Sequence, residues 1–211
     1  MKRGLLLGIA MLLAVLLAAA PAAAAPFVAW EFTSVGSDQY GYFVDNSDSY
    51  SMGLQFSVSS PISVISLGFF DYSGLTQTHD VGIYSSSGSL LTSATVDSSD
   101  GLIGHFRYKS LTTPYALSAG NYVIAAVTGA DYFTWQPVGY YTNSPVTFGT
   151  NRYLASSTLA YPGDGDGDPP DGTNPSYFGP NFQATPVPPT LVLLGSGLLG
   201  LLGLGYFRKR A

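Results

Sequence analysis

Four aspartates, Asp164, Asp166, Asp168 and Asp171 of "AYPGDGDGDPPDGTNPSYFGP", come nearest in type and spacing to a site that could do chemistry. Alternating Asp and Gly lets three carboxylates turn toward one hard cation such as calcium without steric cost. The rest of an EF-hand loop is missing. No bidentate Glu follows at the twelfth position, and Pro169 and Pro170 remove two backbone donors where the loop would turn. A solvated acidic surface loop over residues 160–180 is the simpler reading, and nothing in the sequence requires a cofactor.

His79 and His105 are the chain's two histidines, each beside a strand and without a second ligand nearby in sequence. A catalytic triad would need one of them next to an activated Ser and an Asp, and no Gly-x-Ser-x-Gly elbow narrows the choice. Glu31 is the body's one Glu, so a glycosidase carboxylate pair cannot be named. The expectation is a protein that is not an enzyme, with a secreted hydrolase as the third-ranked reading. Three aromatic clusters, Tyr40, Tyr42 and Phe43, then Tyr132, Phe133 and Trp135, then Tyr140 and Tyr141, offer rings of the kind sugar faces stack upon. Rings are also ordinary strand and core material. A carbohydrate-binding module is therefore the alternative reading, favoured if those rings prove exposed.

The elements that must position these residues read as strands. From Phe27 to Gln183 apolar and polar residues alternate, turn-forming clusters recur every eight to fifteen residues, and no helical period emerges. Leu54, Phe56 and Val58 share one face of a strand, and Ser59-Ser60-Pro61 turns the chain. Ile62 to Phe70 reads as a strand buried on both faces. Val81 and Ile83, then Leu90 to Val96, bracket Ser85-Ser86-Ser87-Gly88 as a hairpin. Tyr122 to Val127 forms another central strand, and a last short one is expected near Asn181 to Ala184. The spacing predicts an all-β fold: an antiparallel β-sandwich over residues 25–184, with a jelly roll as its near alternative.

Both ends of the 211-residue chain are apolar and set apart from this body. Lys2 and Arg3, an apolar run from Leu5 to Leu17, and the small residues Ala22 and Ala24 form the three parts of a signal peptide over residues 1–24, with cleavage expected after Ala24. Residues 185–211 carry prolines, then an uncharged run over 190–207 long enough for one transmembrane helix, then Arg208, Lys209 and Arg210. Cations at both ends favour a cytosolic location for the tips, with the body on the far side of the inner membrane.

The body retains three cations, Arg107, Lys109 and Arg152, against thirteen acids, a formal charge of −10. Such a surface repels phosphate backbones, which excludes nucleic acid as a partner. Cysteine is absent, so an exported fold of this size must be held by its core.

Pro186, Val187 and Pro188, the short Leu/Gly-rich segment and the terminal Arg208, Lys209 and Arg210 together resemble the PEP-CTERM sorting signal of Gram-negative bacteria. The family's middle Glu is here Val187. The resemblance implies recognition by an exosortase, a membrane protease, followed by removal of the helix and release or attachment at the surface. In the body, "QFSVSSPISVISLGFFD", "HDVGIYSSSGSLLTSATV" and "LSAGNYVIAAV" resemble an uncharacterised β-sandwich domain of bacterial surface and extracellular proteins. That resemblance brings no catalytic residues with it. The combined expectation is an exported, C-terminally anchored and then processed protein of the cell surface, outer membrane or extracellular polysaccharide matrix. Its expected partners are the sorting protease, the inner membrane and extracellular polysaccharide.

Overall fold

The computed structural model describes residues 24–34, 49–134, 138–163 and 179–187. The signal peptide, the 190–207 segment and most of the acidic loop lie outside the described residues. Among the described residues no helix is long and apolar enough to cross a membrane.

Twelve strands follow in chain order: β1 (Phe27–Val28), β2 (Trp30–Ser34), β3 (Tyr50–Val58), β4 (Ile62–Phe70), β5 (His79–Ser85), β6 (Leu90–Val96), β7 (Gly101–Ile103), β8 (Phe106–Leu117), β9 (Gly120–Val127), β10 (Val138–Thr142), β11 (Val146–Ala155) and β12 (Pro180–Pro186). One five-stranded sheet runs β1-β12-β4-β8-β7, a second runs β11-β3-β9-β5-β6, and β10 pairs with β2 as a separate ribbon. Every pairing is antiparallel. The body is all-β, and two antiparallel sheets in contact are consistent with the expected β-sandwich. The compact unit spans Ala25–Pro186, two residues further than residue 184, because β12 runs through Pro186.

Alternation explains which faces are buried. Leu54, Phe56 and Val58 of β3 point into the core while Gln55 and Ser57 between them are partly exposed. Trp30 joins the layers. Its ring meets Phe56 of the second sheet edge-on at 6.1 Å and Phe182 of the first at 5.5 Å, and its indole N–H donates to the Pro180 carbonyl at 3.1 Å.

β4 is buried on both faces, as its continuous apolar run predicts, and the structure supplies the reason. Phe69 faces the second sheet, where its ring stacks on His79. Its neighbour Phe70 must point the other way, and it is covered there by Phe32 of β2 at 6.0 Å. Phe106, opposite Phe70 in register, lies 5.3 Å from the same Phe32 ring. Fully burying a Phe side chain contributes about 1.5–3 kcal/mol, so the short β2 strand earns a firm place.

The outer face of the second sheet is covered differently. Leu159 and Tyr161, in a segment without strand pairing, pack over Tyr84, Val123 and Ala125. Ser51 fixes that segment, its hydroxyl donating to the Ala160 carbonyl at 2.6 Å, and the Tyr161 hydroxyl donates to the Ser86 carbonyl at 3.1 Å.

Candidate functional site

Chemistry-bearing side chains gather where β4, β6, β7 and β9 end and β5 and β8 begin. Two groups form there, each built around a histidine.

The first is buried. His79 opens β5 with no exposed surface. Its Nδ1 lies 2.8 Å from the Val127 carbonyl oxygen, an acceptor, so Nδ1 carries the donated proton. Its Nε2 lies 2.9 Å from Asp131 Oδ2. The same carboxylate accepts from the Thr76 N–H at 2.8 Å, the Thr76 hydroxyl at 2.6 Å and the Gln77 N–H at 3.1 Å. Burial pushes the Asp131 carboxyl upward, but the bonds from Thr76, His79 and Gln77 outweigh it and hold the group below the usual carboxylate value. Both ring nitrogens are thus engaged, and none remains to take a proton from a nucleophile.

The second group runs along the start of β8. His105, Arg107 and Lys109 occupy alternate positions, and each meets a carboxylate from a different element. His105 Nδ1 lies 2.7 Å from Glu31 Oε1 of β2, and its backbone N–H donates to Oε2 at 3.2 Å. Arg107 pairs through Nε with Asp71, just after β4, and through Nη1 with the Asp100 carbonyl at 2.9 Å. Lys109 Nζ reaches Asp100 at 3.0 Å and Asp97 at 3.6 Å in the β6–β7 turn. The hydrogen bond and charge of Asp100 raise the Lys109 ammonium, and hydrogen bonds from Ser99 lower the Asp97 carboxyl.

Glu31 also accepts from the Phe32 N–H at 3.0 Å, so its charge is compensated although the residue is nearly buried. Gly104 leaves the room. At φ +59° it sits where a Cβ would run into Glu31 Oε2. Next to this group the Tyr108 hydroxyl is buried with no hydrogen-bond partner among the described residues. Burial first, and the Glu31 charge second, raise that phenol well above its ordinary value. The Tyr108 ring lies over Gly68 of β4, where a Cβ would stand 2.6 Å from two ring carbons.

Neither histidine is bonded to a serine hydroxyl, so the described residues do not assemble a triad. Among the described residues no group of three or more His, Cys, Asp or Glu gathers to hold a metal ion. Asp164, Asp166, Asp168 and Asp171 lie outside the described residues, as do Ala22, Pro188, Arg208, Lys209 and Arg210. Pro186 is the exposed last residue of β12, paired with Ile62, Val187 follows it, and Ala24 precedes β1. Of the aromatic clusters, Tyr141 is 47 % exposed, Phe133 is buried, and Tyr132 and Tyr140 pack against the core. Tyr40, Tyr42, Phe43 and Trp135 lie outside the described residues. Tyr72, not singled out from the sequence, is exposed and meets Tyr132 edge-on at 5.5 Å.

Residues 39–175 match the family described as a domain of unknown function, DUF4082. The chain belongs to that family. The DUF4082 match takes in β3 to β11 and leaves β1, β2 and β12 outside it. The His79–Asp131 pair therefore lies wholly within the DUF4082 region, whereas Glu31 reaches into it from outside. No curated protein matches the chain in sequence.

Proposed function

We propose that this chain is an exported β-sandwich without catalytic activity, held by its C-terminal segment, trimmed by an exosortase-type protease, and placed at the cell surface or in the extracellular polysaccharide matrix. The observation that carries this reading is the pairing of the two strands next to the chain ends. β1 and β12 are antiparallel neighbours, Phe27 opposite Ala184 and Val28 opposite Gln183. Ala25 and Pro186 therefore lie at the same end of the body, which suits a leader and an anchor held in one membrane. A body built this way hangs from one side of a membrane at every stage, which fits cations at both tips of the sequence.

The test is mass spectrometry of the mature protein from its native host. An N-terminus at Ala25 together with a C-terminus near Pro186 supports export and processing, while a chain still running from Met1 to Ala211 overturns both. A reporter inserted in the body and active only in the cytosol removes export itself.

A further inference from the structure

Tyr72 and Tyr141 are about equally exposed, 44 % and 47 %, but their settings differ. Among the described residues Tyr141 has no ring beside it. Tyr72 meets the ring of Tyr132 edge-on, centroids 5.5 Å apart and planes at 69°, and Tyr132 in turn packs against the core. An edge-on partner steadies a ring and covers at most one of its faces. Both tyrosines stand in connections at the far end of the body, opposite Ala25 and Pro186, Tyr72 between β4 and β5 and Tyr132 between β9 and β10.

The segment that carries Tyr72 is fixed on both sides. Asp71 is held by Arg107 Nε through one carboxylate oxygen, and the other accepts from the Gly74 N–H. Further on, Thr76 and Gln77 donate to Asp131 at 2.6 to 3.1 Å. Between these points Leu75 is buried in the core, while Ser73, Thr76, Gln77 and Thr78 are exposed. Residues 72–78 contain no charged side chain. A supported ring thus stands beside neutral hydroxyls and an amide on a segment already ordered, and a ligand arriving there has little left to immobilise.

We propose that Tyr72, backed by Tyr132, is a stacking platform for a neutral polysaccharide, a β-linked glucan whose equatorial hydroxyls leave flat CH faces on each sugar. This deepens the matrix reading above and rests on it. The ring takes the CH face, and Ser73, Gln77 and Thr78 are the neutral groups within the same segment that meet the sugar hydroxyls. Charge selects the class. The body's formal charge of −10 repels a polyuronate, whereas its carboxylates do not oppose a neutral sugar, whose hydroxyls donate to them.

The test uses the purified full chain in lauryldimethylamine oxide micelles, which carry no sugar headgroup. Cellohexaose, laminarihexaose and hexagalacturonate are titrated in turn, and binding is read by saturation transfer from the protein to the sugar protons. Transfer to one or both glucans, strongest at their ring CH protons, with none to hexagalacturonate, supports the platform. Tyr72→Ala should then weaken binding about tenfold. Tyr72→Leu, which keeps apolar bulk without a ring, should do the same, while Tyr72→Phe and Tyr141→Ala bind like the parent. Thermal unfolding of each variant at the parent's midpoint shows that the fold is retained. No transfer to either glucan overturns the proposal, as do equal transfer to hexagalacturonate and binding that survives both Tyr72→Ala and Tyr72→Leu. The matrix reading fails separately. A chain with the expected mature termini that binds no glucan loses the platform alone, whereas a chain that binds glucan but still runs from Met1 to Ala211 in its host keeps the platform and loses the placement.

Discussion

The imidazole of His79 lies flat on the ring of Phe69, centroids 3.7 Å apart and planes 4° from parallel. One ring belongs to β5 and the other to β4, so the contact ties the two sheets at the end where charge collects. Stacking fixes the plane of the imidazole, and that plane aims Nδ1 at the Val127 carbonyl and Nε2 at Asp131. A histidine held on both nitrogens works as a fastener between the β9–β10 connection and the loop before β5.

Removing the carboxylate should show how much that fastener holds. Asp131→Ala leaves the Thr76 and Gln77 N–H groups, the Thr76 hydroxyl and His79 Nε2 without their acceptor. Losing one partner of a buried charged network costs about 3 kcal/mol. The urea midpoint should fall accordingly with an unchanged slope, and Asp131→Asn, which keeps an acceptor oxygen, should lose less.

Acid should weaken the same point. A carboxyl held low in the fold binds its proton less readily there than in the unfolded chain. Its contribution is complete above the unfolded value of about 3.9 and is lost as pH falls through the lower folded value. Thermal midpoints measured against pH should drop below about pH 4, and Asp131→Asn should flatten much of that drop. Asp97 is also held low, by hydrogen bonds from Ser99. Its exposure to solvent screens it, so its share of the acid slope is small.

Gly104→Ala should be costly for two reasons. The residue sits at φ +59°, and an added Cβ collides with Glu31 Oε2. Moving Glu31 breaks its bonds to His105 and Phe32. A loss of about 2 kcal/mol in chemical unfolding is expected, whereas Gly101→Ala, at an open position three residues earlier, should change little.

Tyr108→Phe should go the other way. The hydroxyl it removes is buried and unbonded among the described residues, so no hydrogen bond is lost and one desolvated polar group disappears. The variant should be as stable as the parent or gain about 1 kcal/mol. A fall of that size in the thermal unfolding free energy would mean that the hydroxyl has an acceptor after all.

Strands with a clean two-residue period were legible in the sequence. β3, β4, the β5–β6 hairpin and β9 stand where alternation and Ser/Gly turns put them. β8 hid its length because Pro114 reads as a breaker. The proline is tolerated because β7 pairs only with Phe106 to Tyr108, leaving β8 at the sheet edge further on. There its register against β4 also breaks, between Ser110 and Tyr115. β11 is an edge strand interrupted between Phe148 and Asn151, and its mixed polarity gave no face to read. The charged groups were invisible for another reason. Glu31 and His105 are 74 residues apart and His79 and Asp131 are 52 apart, and only strand pairing brings them together.

The position of β12 also decides how this body bears mechanical load. Seven register pairs, from Pro180–Phe69 to Pro186–Ile62, bind β12 to β4. A pull between the far end and the C-terminus runs along the strand axis and shears all seven at once. β1 contributes two pairs, so the same pull applied to the N-terminus is resisted there by those two alone. The body is therefore strong when dragged by its tail and weak when dragged by its head.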